Sequence, residues 1–260
     1  MGLYRRVPLP STYDGSYKVY DESGVIRLLP SRYEGERVLV LAPHADDETL
    51  GCGGIIQKFI GSDSPVRIVI ATFVTLEYHR YRKEREEYVT YSGIDRLKEL
   101  HEAVAILGVT DLHFLYVDSV HPPQYHTRLD TVPRSDLVSS IEHHISDFHP
   151  TIMFLPSRTK HQDHVALHDA GVTAGRPYYW NGSIGVYETD GELDFQPNLY
   201  VALTKEQVEK KAQALTAYQT QVGSMRHPVN PEFVIAKARV RGQAIYEDYA
   251  EAFELLRVHG

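Results

Sequence analysis

The feature that most constrains this chain is a series of short, unbroken apolar runs separated by amphipathic segments. Val38-Leu39-Val40-Leu41-Ala42 contains no polar residue and stops at Pro43. A run of this length without alternation reads as a strand covered on both faces, as in a parallel sheet. Residues 66–71, 113–117 and 151–155 read as three further strands, the last stopped by Pro156. The intervening segments have helical character. After a polar loop and Gly51, Gly53 and Gly54, residues 55–60 read as a helix. Residues 95–107 place Leu97, Leu100, Val104 and Leu107 at helical spacing, with Gly108 where a C-cap glycine belongs. Residues 136–149 place Leu137, Ile141 and Ile145 on one face. Strands alternating with helices in this way predict right-handed βαβ units. The expected fold is therefore α/β, a Rossmann-like, mostly parallel sheet flanked by helices.

The pattern changes after about residue 183. Residues 184–188 and 199–203 read as strands, and Thr204 with Gln207 forms a capping box for a helix reaching about residue 218. A final helix is expected over residues 233–258, as part of a C-terminal embellishment of one domain. Residues 1–36 are polar and read as an N-terminal extension ahead of a domain spanning 37–255. A chain of 260 residues with 42% hydrophobic composition suffices for one sizeable core. Cys52 is the only cysteine, so no internal disulfide forms and no oxidising compartment is implied. No apolar stretch of signal-peptide length follows Arg5 and Arg6, and no window approaches 18 apolar residues. A soluble cytoplasmic protein with no membrane insertion is expected. The formal net charge is −8 and no long basic stretch occurs, which argues against a nucleic-acid partner.

Two polar clusters carry the chemistry. Pro43-His44-Ala45-Asp46-Asp47-Glu48 follows the first strand, and His161-Gln162-Asp163-His164 follows the fourth. Functional crevices of open α/β sheets lie at the carboxyl ends of strands, so the two clusters can converge. A catalytic zinc takes about three protein ligands and keeps one position open. His44, Asp47 and His164 supply such a set. Asp46 is then free to act as a base, His161 to stabilise an oxyanion, and Asp163 to orient a histidine. The bland alternative is acids at a helix N-terminus and surface histidines. Nine of the 14 histidines fall between His113 and His168, and most of these need no metal to explain them. Complementary ligands in two clusters, each after a buried strand, favour a site. The glycines at 51, 53 and 54 do not match the dinucleotide-binding spacing; they let the helix start close to the sheet.

The segment from Ala42 through His44, Asp46, Asp47 and Glu48 to Gly54 resembles the opening signature of the PIG-L/LmbE-like N-deacetylases. Ala45 replaces the proline of their His-Pro-Asp-Asp-Glu core. His161-Gln162-Asp163-His164 matches the family's His-x-Asp-His. Arg96-Leu97-Lys98-Glu99 with Leu107-Gly108-Val109, the segment from Ala214 to Gln221 with Thr220 in place of a serine, Arg241-Gly242, and Tyr249 to Phe253 resemble later segments. The likeness covers roughly residues 37–255. It implies zinc held by His44, Asp47 and His164, Asp46 as general base, and His161 polarising the carbonyl in partnership with Asp163. It further implies that Arg96 and Asp118 bind substrate. Some members carry a tyrosine two residues before the position of His161; here that residue is Thr159. The implied activity removes an N-acetyl group from a small, amino-sugar-containing substrate, releasing acetate and an amine. The loop over residues 119–134 is expected to shape the pocket. Competing readings are a zinc amidohydrolase for another acyl group, a Rossmann-type nucleotide-binding domain, and a silent sugar-binding module.

Overall fold

A computed structural model describes residues 19–20, 26–27, 33–73, 93–116, 128–189, 194–222 and 229–259. The elements in chain order are β1 (Val19–Tyr20), β2 (Ile26–Arg27), β3 (Val38–Ala42), α1 (Asp47–Ile60), β4 (Val66–Ile70), α2 (Gly93–Leu107) and β5 (Asp111–Phe114). They continue with a 3-10 turn (Leu129–Thr131), α3 (Arg134–Phe148), β6 (Ile152–Pro156), α4 (Gln162–Ala174) and β7 (Ser183–Tyr187). The remainder is β8 (Leu199–Ala202), α5 (Lys205–Thr216), α6 (Pro231–Gln243) and β9 (Ala250–Arg257).

Among the described residues the strands form one sheet of order β1-β2-β8-β9-β7-β6-β3-β4-β5. The five strands from β7 to β5 are mutually parallel. From β3 the chain builds β4 and β5 on one side and β6 and β7 on the other. The strand order therefore reverses between β3 and β6, which opens a crevice beyond their carboxyl ends. The two polar clusters follow those two strands.

Every residue of β3 is fully buried, as its unbroken apolar run predicts. Val38, Val40 and Ala42 pack with residues of α1, α2, α5 and α6, whereas Leu39 and Leu41 pack with α3 and α4. The Thr204–Gln207 capping box is present in both directions, at 3.2 and 3.0 Å, and Gly108 takes the positive φ its C-cap role requires.

Two expectations need correction. Helix α1 begins at Asp47 rather than after the glycines, so the acidic cluster is itself the helix N-terminus. Residues 250–257 are strand β9 and not the end of a helix. Their Ala, Glu and Leu favour helix locally, but β9 is inserted antiparallel between β7 and β8 and residues 250–253 are buried, so sheet burial overrides propensity. Tyr246, at φ 59°, turns the chain after α6, and Gly242 leaves room for the returning backbone at residues 247–249. The N-terminal extension contributes β1 and β2, with β2 pairing parallel to β8.

Gly51 has the packing role expected of it. A Cβ there would lie 2.0 Å from the Tyr187 ring. That ring cannot retreat freely, because its hydroxyl donates to Leu41 O at 2.9 Å. Gly51→Ala should therefore destabilise the fold by about 1–3 kcal/mol through overpacking, despite the better helix propensity of alanine. A denaturant titration reads this as a lower midpoint at unchanged slope. A midpoint equal to the parent's would show that the ring yields at no cost.

Candidate active site

The turn after β3 and the first turn of α4 bring their side chains into contact. His44 Nδ1 lies 3.4 Å from Asp47 Oδ2, and His164 Nε2 approaches the same oxygen at 3.3 Å. The imidazoles of His44, His161 and His164 each offer a nitrogen, all within 4.8 Å of one another. His161 is the N-cap of α4, and its Nδ1 accepts from the Asp163 amide at 3.3 Å. Its side chain is 47% exposed, against 9% for His164 and 16% for His44, so it is the imidazole most open to an incoming molecule. Asp163 bridges the two clusters: Oδ2 lies 3.0 Å from His44 Nε2 and Oδ1 accepts from the Leu129 amide at 2.9 Å. Its contact with His161 Nδ1 is longer, 3.9 Å, so the partnership expected with His161 is made chiefly with His44.

The electrostatics divide the acids by neighbourhood. Burial disfavours charge on His44, but the Asp163 and Asp47 carboxylates outweigh it and raise its pKa to about 9. Burial likewise favours a neutral Asp47, yet the His164 and His44 imidazoles hold its carboxyl well below the usual range. Asp46 goes the other way. Burial pushes it up to about 8; Arg96 opposes this, and Asp47 and Glu48 add to it. Burial and then the neighbouring His44 lower His161 to about 4. Adjacent acids driven apart in this way are a mark of acid–base sites.

The donor set suits a divalent ion: imidazole nitrogens and a carboxylate oxygen converge, with no thiolate. Buried His164 Nδ1 has no hydrogen-bond partner among the described residues, so the ring is held by packing and by its Nε2 side.

Arg96 on α2 is 2% exposed. Its Nη2 donates to Ala45 O and lies 3.6 Å from Asp46 Oδ2. Glu48, Glu99, Tyr218 and Thr220, to which the sequence patterns assign no role, all stand behind the site. Thr49 and Tyr218 hydroxyls donate to Glu48 Oε1, and Thr220 donates to Glu99 from both its amide and its hydroxyl. The available signal was the recurrence of Arg96/Glu99 and Tyr218/Thr220 in the late family-like segments. Asp118 and residues 119–127 of the expected pocket loop lie outside the described residues.

Residues 39–175 match the sequence profile of the PIG-L family, GlcNAc-PI de-N-acetylase. The chain belongs to this family. Its members are metal-using N-deacetylases. A relative from Mycobacterium sp. strain KMS, 1D-myo-inositol 2-acetamido-2-deoxy-alpha-D-glucopyranoside deacetylase, is 28% identical over 162 residues, covering 55% of this chain and 51% of the relative. The N,N'-diacetylchitobiose deacetylase of Pyrococcus horikoshii superposes with a TM-score of 0.64 at 21% identity, covering 85% of this chain and 84% of that one. The 4-carboxy-2-hydroxymuconate hydratase of Pseudomonas putida KT2440 superposes with a TM-score of 0.66 at 16% identity, covering 86% and 98%. At these identities the structural matches speak to the fold alone, and one fold hosts two reaction types. The reaction must be argued from the site. Among the described residues, no helix is long and apolar enough to cross a membrane.

Proposed function

We propose that this chain is a zinc-dependent hydrolase that removes the N-acetyl group of a small amino-sugar conjugate, releasing acetate and a free amine. The observation that carries the reading is Asp47 Oδ2, shared by His44 and His164 at 3.4 and 3.3 Å, with Asp46 and His161 beside it. His44, Asp47 and His164 would hold the ion. His161 is left out of that set because its Nδ1 already serves the α4 N-cap and its ring is the most exposed. Asp163 accepts from His44 and so orients a ligand from behind.

A divalent ion in this set supplies Lewis acidity, making water acidic near pH 7 and polarising a carbonyl. The chain's own residues do the rest. Asp46, next in the chain to the ion-holding Asp47 and 3.6 Å from Arg96, takes the proton of the attacking water. His161 presents its imidazole to the carbonyl oxygen as negative charge develops there. The proton held by Asp46 then passes to the departing nitrogen. Arg96 is too buried to reach a sugar hydroxyl in this conformation, and we assign it to Asp46 instead.

Metal content measured together with amine release tests the reading. About one zinc per chain is expected, with release of amine from N-acetylglucosamine or N,N'-diacetylchitobiose that stops on chelation and returns with zinc. Bound zinc with no amine release from any N-acetyl sugar would move the activity to another acyl group. A protein that takes up no metal when zinc is supplied would remove the reading.

A further inference from the structure

Asp46 has an unusual backbone. Four non-glycine residues among the described ones have positive φ. Asp63, His149 and Tyr246 lie at 51–59°, in the ordinary left-handed region, whereas Asp46 lies at φ 129°, ψ −30°. Such a conformation persists only where the surroundings over-determine it, and it tends to occur at functional sites.

The surroundings here act on one peptide plane. The Ala45 carbonyl and the Asp46 N–H belong to the same peptide unit. Arg96 Nη2 donates to the carbonyl, and Glu48 Oε2 accepts from the N–H at 3.0 Å. Both side chains are buried, Glu48 at 0% and Arg96 at 2% exposure. Glu48 is held from a distant part of the chain, and Arg96 lies beside a carboxylate that is. Glu48 Oε1 accepts from Thr49 Oγ1 at 2.6 Å and from the Tyr218 hydroxyl. Arg96 Nη1 lies 3.9 Å from Glu99 Oε2, and Glu99 in turn accepts from the Thr220 amide and hydroxyl at 2.8 and 2.6 Å. Rotating the plane would strand a buried carboxylate and a buried guanidinium together, which makes the clamp stiff.

We propose that Glu48 and Arg96 are positioning residues that clamp the Ala45–Asp46 peptide from both ends and so fix the direction of the Asp46 carboxylate, with Tyr218 and Thr220 as the anchors of the clamp. The proposal rests on Asp46 being the general base. It accounts for three buried polar residues, Glu48, Arg96 and Tyr218, that stand outside the imidazole cluster.

A kinetic cycle on Glu48 and Asp46 tests it, using the N-acetyl amino sugar the parent enzyme turns over fastest. Glu48→Ala should lower kcat by about 10–100-fold, the scale of a misplaced catalytic group, with KM within about twofold and metal content unchanged. Glu48→Gln should recover most of the loss, because its oxygen can serve the Asp46 N–H while the Thr49 and Tyr218 hydroxyls accept from its amide. The decisive readout is non-additivity: in an Asp46→Ala background, Glu48→Ala should cause no further fall. A further fall of the same factor there would show general damage and overturn the clamp, as would parental kcat in Glu48→Ala. Should Glu48→Ala not fold, Tyr218→Phe carries the same test, with a fall of about 3–10-fold that vanishes in the Asp46→Ala background. Parental turnover in Asp46→Ala would remove the base itself, a different failure from the other two.

Discussion

Asp46→Asn leaves the metal bound and lowers kcat by about 100-fold or more. The exchange removes proton affinity and almost nothing else. Asparagine keeps the shape of the side chain, still offers an oxygen to Arg96, and leaves the Asp46–Glu48 contact, which runs through the backbone N–H, intact. It also removes a buried carboxyl that stands beside Asp47 and Glu48, so stability should hold or rise. The measurement is kcat, KM and metal content on one preparation. A fall in kcat at constant metal and constant KM assigns the proton transfer to this side chain. Parental kcat would return the role of base to the remaining candidates at the site, His161 first.

The second large effect concerns the ion, and it decides between two ligand sets. The three imidazoles of His44, His161 and His164 converge as a group, but Asp47 lies between two of them. If the set is His44, Asp47 and His164, Asp47→Ala should lose metal affinity by more than the 10–100-fold typical of outer-shell changes, and turnover with it. His161→Ala should keep the metal within about tenfold and still lose turnover by about 100–1,000-fold, the loss typical of one oxyanion donor. Metal titration of the two variants separates binding from chemistry. The reverse pattern, an empty His161→Ala and a loaded Asp47→Ala, would establish the three-histidine set and leave Asp47 as the partner that orients it.

Much of the architecture was legible because its physics is local. The all-apolar β3 run, the capping box at Thr204 and Gln207, and the C-cap Gly108 each depend on neighbours within a few residues. The structure departs from the local pattern where distant packing overrides local preference. Residues 250–257 are good helix formers, but the gap between β7 and β8 takes them as a strand. The helix over the acidic cluster starts early because its glycines pack against Tyr187, Lys211 and Leu203, contacts made with residues far along the chain.

The same division holds at the site. The sequence by itself determined which chemical groups are available: two short segments, each following a strand, carry imidazoles and carboxylates in complementary numbers. Only the tertiary structure decided how they are used. The β3–β6 pairing brings Asp163 to His44 across 119 positions, and helix α2 and the segment after α5 bring Arg96 and Tyr218 to the turn at Asp46. Spacing along a chain fixes which side chains leave an element together, but the direction of a carboxylate depends on which peptide plane carries it, and that plane is held by residues that no local pattern connects.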